Sequence, residues 1–139
     1  MTLFCILSFG KLIPYADKPE VKSLVFVTAD RSRVQLERLT QLLVSAFPGS
    51  TIYQHPDPLR VPHDALKNKV DAIFLEAENA GVSDVMQMLR RQKPDLPIFI
   101  ISKNHHLCQR AVEAGATGYF VFPDDEQQLL DAIRSVKAV

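Results

Sequence analysis

Short runs of consecutive apolar, β-prone residues alternate along this chain with longer segments whose apolar residues recur every three or four positions. Leu24-Val25-Phe26-Val27 is such a run, and Val34, Leu36, Leu39, Leu42, Leu43, Ala46 and Phe47 follow it at helical spacing up to a stop at Pro48-Gly49. Thr51-Ile52-Tyr53 is a weaker second run. Ala72-Ile73-Phe74-Leu75 is the third, Pro97 to Ser102 the fourth, and Tyr119-Phe120-Val121-Phe122 the fifth, ending at Pro123. A strand that is apolar at every position has no face to offer water, so these runs predict parallel strands covered on both sides.

The intervening segments predict the covering helices. The Pro-rich stretch from Pro56 to Pro62 reads as neither regular helix nor central strand, and a short helix is expected from about Asp64 to Lys69. Ser83 or Asp84 is expected to cap a helix carrying Val85, Met86 and Leu89 and ending near Lys93-Pro94. Leu107, Ala111, Val112 and Ala114 form a fourth, closed by Gly115, and Asp124 or Asp125 caps a last one bearing Leu129, Leu130, Ile133 and Val136. Five strand–helix units joined by right-handed crossovers define an α/β, flavodoxin-like three-layer sandwich whose five-stranded parallel sheet has the order 2-1-3-4-5. Functional groups then belong at the C-terminal strand ends: Thr28-Ala29-Asp30, Glu76, Ser102-Lys103 and Phe122-Pro123.

At 139 residues one domain is expected, from residue 23 to 139. Residues 1–22 stand apart as an N-terminal extension. Their apolar part (Leu3, Phe4, Ile6, Leu7, Phe9) is too short for a membrane span and lacks the basic region and cleavage site of a signal peptide. Two readings stay open: a mistaken start or poorly ordered tail, or an extra strand that pairs with a sheet edge or a second subunit. Sixteen basic and sixteen acidic residues cancel, so nothing points to nucleic acid or an anionic membrane. Cys5 and Cys108 are far apart and outside any CxxC spacing. They read as reduced thiols of a cytoplasmic protein. His105-His106 has no Cys or carboxylate at ligand spacing, so no metal is expected. The last helix reaches the C-terminus, so no output domain is expected within the chain.

Three pieces, in order, carry a resemblance. They are Val70-Asp71-Ala72-Ile73-Phe74-Leu75-Glu76, the loop Gly81-Val82-Ser83-Asp84, and the turn Ala114-Gly115-Ala116-Thr117-Gly118-Tyr119. Together they resemble the CheY-like receiver domain of bacterial two-component response regulators, over roughly Lys22 to Val139. That family takes phosphoryl from a kinase histidine on an aspartate after strand 3. Two acids after strand 1 help hold a divalent cation, a Ser or Thr after strand 4 and a Lys after strand 5 contact the phosphoryl oxygens, and an aromatic on strand 5 changes rotamer.

The resemblance puts Glu76 at the nucleophile position, Thr28 and Ala29 at the acid pair with Asp30 next, Ser102 at the hydroxyl, Tyr119 at the switch aromatic, and Phe122 at the lysine. It also implies a cis Phe122-Pro123 bond. The departures run one way. Losing both acids removes the anchor that magnesium uses, and replacing Lys by Phe122 removes a cation that phosphoryl transfer needs. The extra methylene of Glu moves the carboxylate by about an ångström, which can lower a rate on the order of 10²-fold. No catalytic residue, enzyme activity, metal or cofactor is therefore expected, magnesium included.

Glu76 has three readings: a constant mimic of phospho-aspartate, a solvated strand-end carboxylate, or an acceptor of a hydrogen bond from Thr28 or Ser102. With no lysine to hold it, the last two are preferred, with Lys103 as partial compensation. The expected function is a degenerate receiver, a phosphorylation-independent interaction module in signal transduction. Its expected partners are proteins, such as a histidine kinase, an output domain or another signalling protein, without nucleic acid or membrane. A homodimer is conceivable through helix 4, strand 5 and helix 5, where Arg110, Glu113, Tyr119, Asp131 and Arg134 lie. The alternative is a phosphoacceptor with an atypical Glu76/Asp30 site. A small flavodoxin-like enzyme is disfavoured, because no Gly-rich phosphate loop or nucleophile–base pair is present.

Overall fold

The computed structural model describes residues 4–6, 12–14, 23–78 and 81–137. Five parallel strands form the main sheet: Val25–Ala29 (β3), Thr51–His55 (β4), Ala72–Glu76 (β5), Ile98–Ser102 (β6) and Gly118–Val121 (β7). Their order is β4-β3-β5-β6-β7, which counted within this sheet is the expected 2-1-3-4-5. Helices Arg33–Ala46 (α1), Val61–Lys67 (α2), Val82–Gln92 (α3) and His105–Glu113 (α4) make the crossovers, and Glu126–Lys137 (α5) follows the last strand. None of the described helices is long and apolar enough to cross a membrane.

Alternation along buried strands divides the core in two. On one face Val27, Ile73, Leu75, Ile98 and Ile100 pack against Val61 and Ala65 of α2 and Val85, Met86 and Leu89 of α3. On the other, Phe26, Phe74, Phe99 and Phe120 pack against Leu39 and Leu43 of α1 and Leu129 and Ile133 of α5. Rings on that second face form a row across the sheet. Neighbouring centroids lie 5.8 Å apart for Phe47–Phe26, 5.9 Å for Phe26–Phe74, 5.5 Å for Phe74–Phe99 and 5.6 Å for Phe99–Phe120. These separations suit tilted and offset aromatic contact.

Two local expectations are corrected. The Pro-rich stretch is partly helical: Asp57 accepts from the Leu59 N–H at 3.0 Å and opens a 3-10 turn over Pro58–Arg60, and α2 follows directly from Val61. Pro62 falls in its first turn, where the missing N–H would have had no partner. Helix α3 is not capped by Ser83 or Asp84. It starts at Val82 behind Gly81, whose φ of +92° strains any side chain and where an added Cβ would crowd Leu59 Cδ2 at 3.1 Å. Asp125 stands directly before α5, as expected, its carbonyl accepting from the Leu129 N–H at 2.9 Å while its carboxylate turns back to accept from the Val121 N–H at 2.8 Å.

In the extension, Phe4–Ile6 (β1) and Leu12–Pro14 (β2) pair antiparallel with each other, Phe4 opposite Pro14. They form a separate two-stranded sheet instead of extending an edge of the main one. The rest of that segment, and the readings of the Cys5, His105 and Cys108 side chains, lie outside the described residues.

Two long cations fasten the end of α3. Arg90 donates to the carbonyls of Gly115 (2.9 Å), Pro94 (3.1 Å) and Leu96, and to Thr117 Oγ1 (3.0 Å). Lys93 Nζ donates to the carbonyls of Ala65 (2.6 Å) and Asn68 (3.1 Å) on α2. One guanidinium thus satisfies acceptors in the turns that lead into β6 and into β7. Arg90→Ala should lower stability by about 2 kcal/mol, the scale of losing charged hydrogen bonds that leave acceptors unpaired. Arg90→Lys should recover less than half of it, because an ammonium lacks the planar fork. Urea unfolding of the three proteins checks both.

Candidate functional site

Register brings the ends of β3, β5 and β6 to one edge of the sheet, with Ala29 opposite Leu75 and Glu76 opposite Ile101. A cavity of about 180 Å³ opens there, lined by Asp30, Ser32, Gln35, Glu76, Glu78, Ile101, Ser102, Lys103 and Phe122. Asp30, Glu76, Ser102 and Phe122, all picked out from the sequence, therefore share one site. Thr28 and Ala29 are buried in the sheet behind it, and neither is among the cavity's lining residues. Tyr119 is half-buried and packs against the α2–α3 core.

Glu76 is neither solvated nor bonded to Thr28 or Ser102, which corrects the sequence expectation. Its side chain is 11% exposed, and Arg31 holds it twice. The Arg31 backbone N–H donates to Oε2 at 2.8 Å and Nη2 to Oε1 at 3.3 Å. The same Nη2 reaches the Glu78 carbonyl at 3.2 Å. The expected absence of a cation beside Glu76 was wrong because Arg31 comes from the loop after β3, 45 positions away in sequence. No local pattern announces such a pair. The one available signal was a basic residue directly after Asp30 at a strand end.

Ser102 serves Glu78 instead. Its hydroxyl donates to Glu78 Oε1 at 3.2 Å and accepts from the Asn104 N–H at 2.9 Å. Asn104 is the residue that caps α4, accepting from the His106 and Leu107 N–H groups at 3.0 and 3.3 Å. Thr28 Oγ1 is fully buried and has no hydrogen-bond partner among the described residues. Lys103 is exposed at the cavity rim and makes no ion pair among the described residues.

Two carboxyls in this edge divide one proton. Burial pushes Asp30 up most strongly. Ser32, whose N–H donates to Asp30 Oδ1 at 2.7 Å, pulls it down, and Glu76 and Glu78 push it further, to about 7 from 3.8. For Glu76 burial also opposes the charge most strongly. The Arg31 backbone N–H, a hydrogen bond from Asp30 and the Arg31 guanidinium together outweigh it and hold the carboxyl below 4.5. Near neutrality Glu76 is ionised, while Asp30, raised to about 7, is protonated in a large share of molecules.

Phe122 fills the lysine position with a 1%-exposed ring that belongs to the α1–α5 core. Arg38 lies over that ring, 6.0 Å from its centroid. The Phe122-Pro123 bond is cis, as the resemblance implied. A divalent cation does not fit this edge well. Thr28 and Ala29 offer no carboxylate, Glu76 is occupied by Arg31, and no cluster of three or more His, Cys, Asp or Glu among the described residues could hold a metal ion.

No family model matches the chain, and no curated protein sequence matches it. Solved structures do. It is similar to a response regulator receiver domain protein of Clostridium thermocellum (18% identity, 81% of this chain and 93% of that one, TM-score 0.69). It is similar to the signal receiver domain of an HD domain-containing protein of Pseudomonas fluorescens Pf-5 (22%, 83% and 94%, TM-score 0.70). The chemotaxis response regulator CheY4 of Vibrio cholerae matches as well (20%, 83% and 99%, TM-score 0.70). The chain has the CheY-like receiver fold. At these identities the likeness extends to the fold alone, and the chemistry of this receiver-like edge rests on its own residues.

The two shifted carboxyls set opposite pH dependences. Asp30 is raised, so its contribution to stability is complete below about pH 4 and is lost as pH rises through about 7. Glu76 is lowered, so its contribution is present above about pH 4.5 and is lost as pH falls through its depressed value. Stability should therefore peak at about pH 4, decline from there to about pH 7 and level off above it. Asp30→Asn, which keeps a neutral group, should flatten that decline. Chemical unfolding across this range checks it, and an equal decline in both proteins would remove Asp30 as the cause.

Proposed function

We propose that this chain acts in signal transduction as a degenerate receiver, a protein-interaction module that works without phosphorylation. One observation carries the reading: the carboxylate at the nucleophile position is already engaged by the Arg31 main chain and guanidinium. A nucleophile must present a free oxygen to phosphorus, and here both oxygens accept hydrogen bonds. Phe122 adds to this, since its ring takes the place of the cation that would balance the phosphoryl charge. The module needs no magnesium and has no enzyme activity of its own in this reading.

Glu76 then resembles the phosphorylated state only in its fixed charge, and Arg31 neutralises most of that. Tyr119 acts as a packing or interface aromatic, because no phosphoryl event drives a rotamer change. Partners are other signalling proteins in the cytoplasm. A homodimer through α4, β7 and α5 would draw mainly on Arg110 and Glu113. Asp131 and Arg134 already pair with each other at 3.5 Å, and Arg134 also lies 5.7 Å from the Phe47 ring centroid. Charges already satisfied within one chain add little to a symmetric contact.

The competing reading is a phosphoacceptor that uses Glu76 and Asp30, which do share one cavity with Ser102. Amide NMR spectra with Mg²⁺, then with Mg²⁺ and beryllofluoride, separate the two. The resonances of Glu76, Ser102 and Tyr119 should stay in place, and intact mass should not change after incubation with a small-molecule phosphodonor. A joint shift of the three, or a gain of one phosphoryl group, sinks the phosphorylation-independent reading.

A further inference from the structure

The hydrogen bonds at this edge form one line from the loop after β3 to the start of α4. Arg31 Nη2 bridges Glu76 Oε1 and the Glu78 carbonyl, so it fixes the first residues of the loop after β5. That places the Glu78 carboxylate 3.2 Å from the Ser102 hydroxyl at the end of β6. The hydroxyl then accepts from the Asn104 N–H, and the Asn104 side chain caps α4 through His106 and Leu107. We propose that Arg31 is a built-in strap that closes this edge and, through Glu78, Ser102 and Asn104, sets the first turn of α4. The inference goes beyond the reading of the chain as an interaction module and does not depend on what that module binds.

Each link has a physical reason to respond to the one before it. Nη2 is shared between a carboxylate and a carbonyl, so its removal frees both at once. Among the described residues, Glu78 is the acceptor to which the Ser102 hydroxyl donates. Without it the hydroxyl can rotate, and its bond with the Asn104 N–H loses alignment. The cap on α4 rests on Asn104 being held where its Oδ1 meets two N–H groups. The strap is also open to outside influence, since the Arg31 side chain is 57% exposed while that of Glu76 is 11% exposed.

The test removes links singly and together. Arg31→Gln deletes the guanidinium but keeps the backbone N–H bond to Glu76. Ser102→Ala cuts the line in its middle. Amide shifts and hydrogen exchange are then followed at Asn104, His106 and Leu107 in the full chain. Arg31→Gln should move all three resonances and speed their exchange by on the order of tenfold, the scale of one lost charged hydrogen bond. Ser102→Ala should do the same, and the double variant should show little beyond the larger single effect. Arg31→Lys, which keeps the charge without the fork, should give an intermediate result and serves if Arg31→Gln folds poorly. The proposal is overturned if changes in Arg31→Gln stop at residues 30–32 and 76–78, or if the two single effects at His106 and Leu107 simply add.

Discussion

Strands β5 and β6 have no solvent face, and the polar chemistry of this molecule is arranged around that constraint. Ala72, Ile73, Phe74 and Leu75 are essentially inaccessible, and Ile98 to Ile101 are buried on the next strand. Burial of aliphatic side chains of this size stabilises by about 1.5–3 kcal/mol each, so the two strands anchor the fold. The same packing leaves no place for a charge until the strand ends. Glu76 is the first residue of β5 to meet the surface, and it does so with a side chain still largely enclosed. A carboxylate in that position is costly unless it is paired and hydrogen-bonded, and Arg31 supplies both from a single residue.

The resulting edge is close to balanced. Glu76 and Glu78 carry negative charge, and Arg31 and Lys103 carry positive charge beside the same cavity. Asp30 would add a third negative charge, and its raised proton affinity, up to about 7, reduces that charge near neutrality. An edge balanced in this way has less to gain from a divalent cation or a phosphoryl group than one with three free carboxylates and a lysine. Pairing of Glu76 with Arg31 and packing of Phe122 in the core therefore set this edge apart together, beyond the single replacement of aspartate by glutamate.

The alternation of apolar runs and helical periods was legible because both are local, and five such units leave few ways to wind a sheet. The Pro-rich stretch was misread for a reason that is also local. Proline breaks helix interiors but suits first turns, and Pro58 and Pro62 both occupy first turns. Gly81 was passed over as a helix start because its role comes from a positive φ and from Leu59 packed against it, not from a capping side chain. The cavity residues Glu76, Ser102 and Phe122 could be located because strand ends can be counted. Arg31 and Glu78 could not, since what gives them meaning is contact between loops far apart in sequence.

Phe122 shows why the site's departures belong together. Its ring is part of the same apolar cluster as Phe74, Phe99 and Phe120, and it lines the cavity from below while Arg38 of α1 covers it. A lysine there would have to carry its ammonium out of a core layer to reach Glu76, and Arg31 already occupies that carboxylate. The aromatic wall and the arginine strap thus fill the two roles that a single strand-end lysine would otherwise combine: one completes the α1–α5 core, and the other neutralises the carboxylate. Reverting either residue alone leaves the other in place, so the aromatic wall and the paired carboxylate act on this edge together.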